Sequence, residues 1–259
     1  MLPEEQTQVT EPCLLSMGLS NLRNSLFERL HRMEQQQGRT AFVGLLNRQG
    51  RMHPDICQFV NEHFYEHKLT EVPLPHQREE LQWTNASTPY EKFVASTRMG
   101  FIPVCQVANV ENLRANAPEA EAVCNIVQAI CSLHEKNGQT SFIPHKAIGV
   151  IVPFRSQIAS IRSILRKHGF TWADDVTIDT VECYQGSQRD YILFSTTISQ
   201  PYQLNLLSSI QRIGKAQVDR KLNVAITRAR RQFFIFGNPQ LLRKNAVYSA
   251  LIDACDVMH

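Results

Sequence analysis

Basic side chains suited to binding phosphate are concentrated between Val218 and Arg231. At 100° per residue, one helical stripe would contain the apolar members of this segment, which are Val218, Leu222, Ala225, Ile226 and Ala229. Lys221 and Arg228 would then share one flank of the helix, and Asn223 and Arg230 the other. Two rows of donors beside a buried stripe suit phosphate recognition, because a guanidinium group pairs with phosphate oxygens through two bonds. The alternative is an ordinary solvated basic face on an amphipathic helix.

A further arginine, Arg51, lies in the sequence Q-G-R-M-H-P at residues 49–54. Because proline fixes φ near the helical value, Pro54 predicts a helix start with Arg51 in the turn just before it. Such a turn can present a guanidinium group to a ligand. The alternative is an ordinary junction between a loop and a helix.

A polar connection, Thr180–Asp190, joins two apolar segments of strand length. Loops at the ends of strands are where α/β sheets bind ligands, so this connection is a candidate binding segment. Cys183 lies within it but has no neighbouring base, which favours a structural role over a nucleophilic one.

Three common nucleotide-binding or metal-binding motifs are missing from the sequence. No G-x-x-x-x-G-K-[ST] or G-x-G-x-x-G occurs, and Gly214-Lys215 is followed by Ala216, so no glycine-rich phosphate cradle is predicted. His63 and His67 are spaced i, i+4, but their order with the neighbouring glutamates is E-H-x-x-E-H, not the H-E-x-x-H of a zinc helix. We therefore expect no metal site, and no nucleotide hydrolysis by this chain alone.

The composition is that of an ordinary folded protein: 259 residues, 43% hydrophobic and 20% charged. A net charge of +3 and a pI of about 8.5 are too low to indicate nucleic-acid binding by overall charge, so any basic surface must be local. Seven cysteines without a C-x-x-C pair suit a reducing compartment. With no apolar run near 18 residues and no signal-peptide pattern, the sequence predicts a cytoplasmic protein without a membrane partner.

From Phe101 onward, apolar segments of strand length alternate with helical patterns. The predicted strands are Phe101–Val107, Ala147–Val152, Val176–Val181, Tyr191–Ile198 and Gln232–Phe236. Asn116 is a predicted helix cap, and a second helix should end at Gly169. Continuous apolar strands separated by helices predict a parallel sheet covered on both faces, which is an α/β fold.

The first hundred residues show weaker patterns. They predict a helix at Ser25–Met33, a strand at Ala41–Leu46, a helix at Pro54–His67 and a loop-rich segment at Gln77–Arg98. We find no internal repeat or low-complexity segment in the sequence.

Taken in order, four segments resemble the C-terminal half of a superfamily 1 helicase, most closely the branch that contains the nonsense-mediated-decay RNA helicase. Q-G-R-M-H-P at 49–54 resembles that branch's Q-Y-R-M-H-P, and I-G-V-I-V-P-F at 148–154 with Gln157 resembles its I-G-I-I-T-P-Y-x-x-Q. Thr180–Asp190 resembles S-V-D-A-F-Q-G-R-E-K-D. Leu222–Arg230, with G-N-P at 237–239, resembles L-N-V-A-L-T-R-A-R ending in G-N-P. The segments span about residues 45–240, and Leu2-Pro3 resembles the end of the family's Q-L-P-P segment.

The resemblance implies a RecA-like, P-loop NTPase-type α/β domain with a mostly parallel sheet flanked by helices on both faces. This would be the second such domain of the helicase, starting in residues 1–100 and with its core in residues 101–259. ATP would lie in the cleft between it and an N-terminal RecA-like domain of the same protein. That first domain would hold most of the contacts to ATP and Mg²⁺, and single-stranded DNA or RNA would be the substrate.

The resemblance also assigns roles to individual residues. Arg51 and Arg228 would be the catalytic residues, neutralising charge on the γ-phosphoryl group in the transition state. The nucleotide-binding residues would be Gln49, Gly50, Gly186 and Gln188, with the Gln188 amide oxygen facing the ribose hydroxyls. The nucleic-acid-binding residues would be Val152, Pro153, Phe154 and Thr180.

Departures from the family pattern keep a second interpretation open. Gly50 replaces a tyrosine that stacks on the base, Gln188 replaces a glutamate, and Val152 replaces a threonine hydroxyl donor. Met1 falls at the position of the family's γ-phosphate-sensing glutamine. The alternative to a motor domain is therefore a non-catalytic nucleic-acid-binding or scaffold domain that kept the fold.

Overall fold

A computed structural model describes residues 7–22, 25–39, 41–44, 46–104, 114–213 and 216–259. Met1, Leu2, Pro3, Gly214, Lys215 and the end of the strand predicted at Phe101–Val107 lie outside these residues. The chain divides into two compact units, Met1–Asn47 and Arg48–His259.

The strands all lie in the second unit, as far as the described residues go. In chain order they are β1 (Arg48–Gln49), β2 (Thr70–Glu71), β3 (Met99–Pro103), β4 (Ile148–Ile151), β5 (Thr177–Asp179), β6 (Arg189–Ser195), β7 (Ile210–Ile213), β8 (Ala216–Asp219), β9 (Ala229–Gly237) and β10 (Asp256–Val257). Six of them form one sheet in the order β10-β3-β9-β6-β4-β5, and every neighbouring pair is parallel. β1 pairs with β2 in parallel, and β7 pairs with β8 as an antiparallel hairpin.

Eleven α-helices are found in the described residues. They are α1 (Pro12–Ser16), α2 (Leu26–Gln36), α3 (Pro54–Phe64), α4 (Pro89–Ser96), α5 (Ala117–Lys136), α6 (Pro144–Ala147), α7 (Arg155–Lys167), α8 (Leu204–Leu207), α9 (Arg220–Ile226), α10 (Pro239–Leu242) and α11 (Ala246–Ala254). Short 3₁₀ turns at Pro75–Gln77, Val181–Tyr184 and Pro201–Gln203 connect them.

Both faces of the six-stranded sheet are buried. Along β9, Phe233 and Ile235 pack in one core with residues of α3, α9 and α11, whereas Phe234 and Phe236 pack in a second core with residues of α5 and α7. Successive side chains of a strand point to opposite faces, so continuous apolar strands need a helix layer on each side. This arrangement confirms the predicted RecA-like α/β fold, a parallel sheet with helices on both faces.

Local signals set the boundaries of several helices. Asn116 caps α5 by accepting a hydrogen bond from the Glu119 N–H at 3.0 Å, as its sequence predicts. α7 is followed by Gly169 at φ +82°, where a residue with a Cβ would be strained. Thr88 and Glu91 form a reciprocal capping box at the start of α4.

Four predictions of secondary structure need correction. Ala41–Leu46 contains no strand among its described residues, and the two-residue β1 follows it. The helix predicted at Pro54–His67 ends at Phe64. The segment Gln77–Arg98 contains α4, because the capping box and Pro89 start a helix that the mixed polar composition concealed. The helix predicted across residues 218–231 is limited to α9, with β8 before it and β9 after it.

The first unit is built from α1 and α2, and neither helix buries a residue. Ser25 caps α2 by accepting from the Glu28 N–H at 3.1 Å. Large apolar side chains are exposed across this unit, among them Leu14, Leu15, Met17, Leu22, Leu26, Phe27 and Leu30. Within the described residues of the whole chain, no helix combines the length and apolar character needed to cross a membrane.

Candidate functional site

Arg51 lies in the tight turn between β1 and α3. Its guanidinium Nη1 donates to the carbonyl of Thr227 at 3.1 Å, and its Nε donates to the Gln188 Oε1 at 3.2 Å. These contacts bring together three segments far apart in the sequence. The predicted turn before Pro54 is therefore confirmed, and it faces the other predicted nucleotide-binding residues.

Gln49 and Gly50 shape the same turn from within. The Gln49 Oε1 accepts from the Arg51 N–H at 3.0 Å and from the Met52 N–H at 2.9 Å. Gly50 lies against Leu74, and a Cβ built on it would come within 3.0 Å of Leu74 Cδ1. In this structure, Gln49 uses its side chain to hold the Arg51 backbone.

Arg228 lies in the turn between α9 and β9, and it is half-buried. Its Nε donates to the Val224 carbonyl at 3.2 Å, its Nη1 to the Ser187 carbonyl at 3.3 Å and its Nη2 to the Thr227 Oγ1 at 3.1 Å. The prediction that Arg228 shares a helix flank with Lys221 is wrong, because α9 ends two residues before it. Arg230 lies in β9 and is paired with Asp190 at 2.9 Å.

Arg51 and Arg228 form a pair of like charges. Burial, reinforced by the positive charge of Arg51, lowers the pKa of Arg228. Among the described residues, neither guanidinium forms an ion pair with a carboxylate, and all their acceptors are neutral oxygens. Neighbouring arginines such as Arg230 and Arg231 do pair with carboxylates. Two adjacent cations without a counter-charge favour an anionic ligand, and a polyphosphate supplies charge of that kind.

Gly186 and Gln188 lie in the connection that leads into β6. Gly186 adopts φ +82°, a conformation open to glycine, and no atom lies near the Cβ position. Ser187 follows and accepts from Arg228 through its carbonyl. The connection therefore places Gln188 beside Arg51 and Ser187 beside Arg228, at the start of β6.

The predicted nucleic-acid-binding residues lie at the opposite end of the sheet, where the strands have their carboxyl ends. Val152, Pro153 and Phe154 follow the carboxyl end of β4, and Thr180 follows the carboxyl end of β5. Gln188 and Arg228, in contrast, precede the amino ends of β6 and β9. Because all these strands are parallel, the two predicted sites occupy the two ends of the same sheet.

Of the predicted nucleic-acid-binding residues, Val152 is the least exposed to solvent and so the least able to contact a ligand. Its side chain is 1% exposed, and its N–H donates to the Asp179 carbonyl at 3.0 Å. Pro153, Phe154 and Thr180 are only partly buried. A small cavity of about 50 Å³ lies beside Val152 and Pro153, and Glu182, Leu206 and Lys221 also line it.

Sequence reasoning missed the residues that support Arg51. Gln77 is 2% exposed, and its Nε2 donates to the Met52 carbonyl at 2.9 Å. His76 places its Nε2 at 2.9 Å from the Arg51 carbonyl. Neither residue has a signal in the sequence, because both lie in a short turn within a segment that has no regular periodicity.

A buried hydrogen-bond network around the Glu119 carboxylate lies at the carboxyl end of β6. Glu119 is fully buried, and its Oε2 accepts from the Ser195 hydroxyl at 2.7 Å and the Thr197 N–H at 2.8 Å. Gln157 of α7 joins the same network through the Ser195 Oγ at 3.1 Å. Burial raises the pKa of Glu119 to about 8, although both hydrogen bonds oppose the rise.

No cluster of metal-ligating side chains occurs within the described part of the chain. Cys183 is an exposed free cysteine whose closest hydrogen-bond contact is Thr180 Oγ1 at 3.9 Å, which offers no base to activate it.

The sequence is similar to those of known proteins over most of its length. An AAA domain family model matches residues 22–240. Helicase sen1 from Schizosaccharomyces pombe is 30% identical over 247 residues, covering 93% of this chain and 13% of that protein. Regulator of nonsense transcripts 1 from Dictyostelium discoideum is 29% identical, covering 90% of this chain and 16% of that protein. An uncharacterized ATP-dependent helicase, MJ0104, from Methanocaldococcus jannaschii is 28% identical, covering 93% of this chain and 32% of that protein.

These relatives are much longer than the chain, which spans between 13% and 32% of their lengths. The matched region includes both the Arg51 turn and the Arg228 turn.

Proposed function

The chain belongs to the AAA domain family, and from this premise we propose that it is the C-terminal motor domain of an ATP-dependent nucleic-acid helicase or translocase. The observation that carries the proposal is the Arg51 and Arg228 pair, two adjacent guanidinium groups that lack a carboxylate partner among the described residues. Similarity to ATP-dependent helicases over about nine-tenths of the chain supports the same function.

Bound ATP would supply the polyphosphate charge and the phosphoryl group that is transferred to water. The residues of this chain would act on that charge. Arg228 and Arg51 would stabilise the transition state from one side of the cleft, because their fixed positive charges count most where negative charge develops. The second lone pair of the Gln188 Oε1 is free to accept from a ribose hydroxyl while the first accepts from Arg51.

A first RecA-like domain of the same protein would complete the nucleotide site. It would provide the glycine-rich phosphate cradle that this sequence lacks and the carboxylates that bind Mg²⁺. The exposed apolar side chains of α1 and α2 are consistent with a protein partner, since clustered exposed apolar side chains often mark an interface.

Single-stranded DNA or RNA would bind at the carboxyl ends of the strands of the sheet. Pro153, Phe154 and Thr180 lie there partly exposed, and they offer an aromatic ring and a hydroxyl to a base and a sugar-phosphate backbone. The lower accessibility of Val152 limits it to supporting the turn that carries Pro153 and Phe154.

The decisive experiment changes Arg228 in the protein joined to its first domain. Arg228→Ala should lower strand-stimulated ATP turnover by a factor on the order of 10³, because arginine fingers contribute about 10³–10⁵ in rate. Affinity for single-stranded nucleic acid should stay within about twofold, because Arg228 lies at the other edge of the sheet. Arg228→Lys should rescue poorly, since an ammonium group cannot form the two-bond fork.

Arg220→Ala is the matched control, because Arg220 is an exposed residue of the neighbouring α9. Its turnover should equal that of the unchanged protein. If Arg228→Ala keeps more than about a tenth of the turnover, the finger assignment is wrong. If the unchanged protein binds single strands but hydrolyses no ATP, the alternative of a non-catalytic nucleic-acid-binding or scaffold domain replaces the motor.

A further inference from the structure

Three backbone carbonyls around Arg51 accept hydrogen bonds from one short turn. The Gln77 Nε2 donates to the Met52 carbonyl at 2.9 Å and contacts the Gln49 carbonyl at 3.4 Å. His76, the preceding residue, bonds the Arg51 carbonyl at 2.9 Å. The 3₁₀ turn Pro75–Gln77 therefore holds the main chain before, at and after Arg51.

The Gln77 side chain is itself fixed in place. It is 2% exposed, and its Oε1 accepts from the Leu74 N–H at 3.2 Å. Both ends of the carboxamide are thus committed to backbone groups, which leaves the side chain a single satisfied orientation. A buried amide that loses its hydrogen-bond partners is destabilising, so the folded protein favours this one orientation of Gln77.

Within the turn that contains Arg51, the Gln49 side chain bonds the Arg51 and Met52 N–H groups. At the end of this turn, the His53 N–H donates to the Arg230 carbonyl at 2.9 Å. The Pro75–Gln77 turn adds bonds to the carbonyls of residues 49, 51 and 52 from a separate segment of the chain. β1 is only two residues long, and it pairs with the two-residue β2 through residues 48–49 and 70–71. The Arg51 side chain beyond it bonds only neutral oxygens, and no carboxylate anchors its guanidinium group among the described residues. Its orientation therefore depends on where the backbone of residues 49–52 is placed.

We infer that Gln77 is a positioning residue for Arg51 and that His76 assists it by bonding the Arg51 carbonyl. Together, Gln77 and His76 would hold the Arg51 backbone where its side chain can stabilise the transition state. This inference rests on the proposed function of Arg51. Gln77 lies outside the predicted nucleotide-binding residues and does not contact Arg51's guanidinium group. It acts through the carbonyls on either side of Arg51, and the cost of losing it should appear in kcat.

The test is a double-mutant cycle in the protein joined to its first domain. Gln77→Met keeps the length of the side chain but removes its donors, and we expect kcat for ATP hydrolysis to fall about 10- to 100-fold, the range expected for a displaced catalytic group. KM for ATP should change by less than about twofold, because Arg51 is expected to act mainly in the transition state. In an Arg51→Ala background, Gln77→Met should have no further effect on kcat.

A second readout needs no turnover. In this chain alone, Gln77→Met should speed amide hydrogen exchange in a peptide covering residues 49–53, while exchange in β9 stays unchanged. Gln82→Met is the matched control, because Gln82 is exposed in the same stretch of chain. It should alter neither kcat nor exchange at residues 49–53.

The results distinguish a failure of the inference about Gln77 from a failure of the proposed role of Arg51. If Arg51→Ala alone leaves kcat unchanged, the proposed role of Arg51 fails. If Arg51→Ala lowers kcat but Gln77→Met leaves it intact, or lowers it by the same factor in both backgrounds, Gln77 does not act through Arg51. Should Gln77→Met lower the melting temperature broadly, His76→Ala decides the question in the same cycle, since His76 is only partly buried. Non-additivity with Arg51→Ala would support the inference, and additivity would overturn it.

Discussion

Glu119 shows how one buried side chain makes stability depend on pH. Burial raises the pKa of Glu119 to about 8 in the folded protein, whereas an exposed glutamate in the unfolded chain titrates at its ordinary value of 4.5. Between these values the folded state holds a proton that the unfolded state has released. The free energy of unfolding must therefore fall as the pH rises through this window, and it levels off above about pH 8.

We predict that Glu119→Gln flattens this dependence, because the amide cannot ionise. Thermal unfolding of both proteins between about pH 5.5 and pH 8.5 would measure this dependence. The melting temperature of the unchanged chain should fall with pH more steeply than that of the variant. Equal slopes would mean that Glu119 is ionised in the folded protein throughout.

The sequence predicts which residues contact ATP, and that stays a prediction, but it does not predict the residues that support them. Arg51 and Arg228 occur in recognisable segments, and the structure brings both to Thr227. These supports are hydrogen bonds between segments that are remote in the sequence. Gln77 and Met52 are separated by 25 residues, and Ser195 and Glu119 are separated by 76. Local patterns carry no information about such pairs.

At the scale of elements, α9 is a short helix that depends on its cap. Asp219 is fully buried, and its Oδ1 accepts from the N–H groups of Ser209, Lys221 and Leu222 at 3.0–3.2 Å. This one oxygen joins the start of α9 to the residue that precedes β7. A seven-residue helix has few internal hydrogen bonds, so its position relies on such contacts.

We predict that Asp219→Ala lowers the free energy of unfolding by about 1–2 kcal/mol or more, the usual cost of removing a cap. Asp219→Asn keeps an oxygen acceptor in place and should recover most of the loss. Urea unfolding monitored by circular dichroism would measure both variants. Equal losses for alanine and asparagine would show that the negative charge, not the cap geometry, stabilises α9.

The segment around α9 also shows where periodicity misleads. Val218, Leu222, Ala225, Ile226 and Ala229 are all buried in one core, as a helical stripe predicts. Yet Val218 belongs to β8 of the two-stranded hairpin and Ala229 to β9 of the six-stranded sheet, and both strands bury these side chains in the same core as α9. Phe233, Phe234, Ile235 and Phe236, all of types that favour strands, lie in β9, and the chain leaves the helix before them. The sequence pattern predicts which of these residues are buried, but the ends of the helix depend on the strands on either side of it.

For the whole molecule, we predict that this chain alone hydrolyses no ATP above background. Its arginines can neutralise phosphate charge, but its sequence contains no glycine-rich loop to hold the β- and γ-phosphates. A phosphate-release assay on the purified chain, with and without single-stranded nucleic acid, tests the expectation. The same assay on the chain joined to its first domain is the positive control. Robust strand-stimulated turnover by the chain alone would contradict the two-domain site.

The central strand β6 gives the molecule a mechanical property. It spans seven residues, from Arg189 beside Gln188 to Ser195 within the Glu119 network. At about 3.3 Å per residue, that is a strut roughly 23 Å long. Its neighbours β4 and β9 are hydrogen-bonded to it along most of that length, and both of its faces are packed. Because β6 is paired on both sides and packed on both faces, we expect its two ends to move together, so that any change of shape between the two predicted sites occurs in the loops that flank the strand.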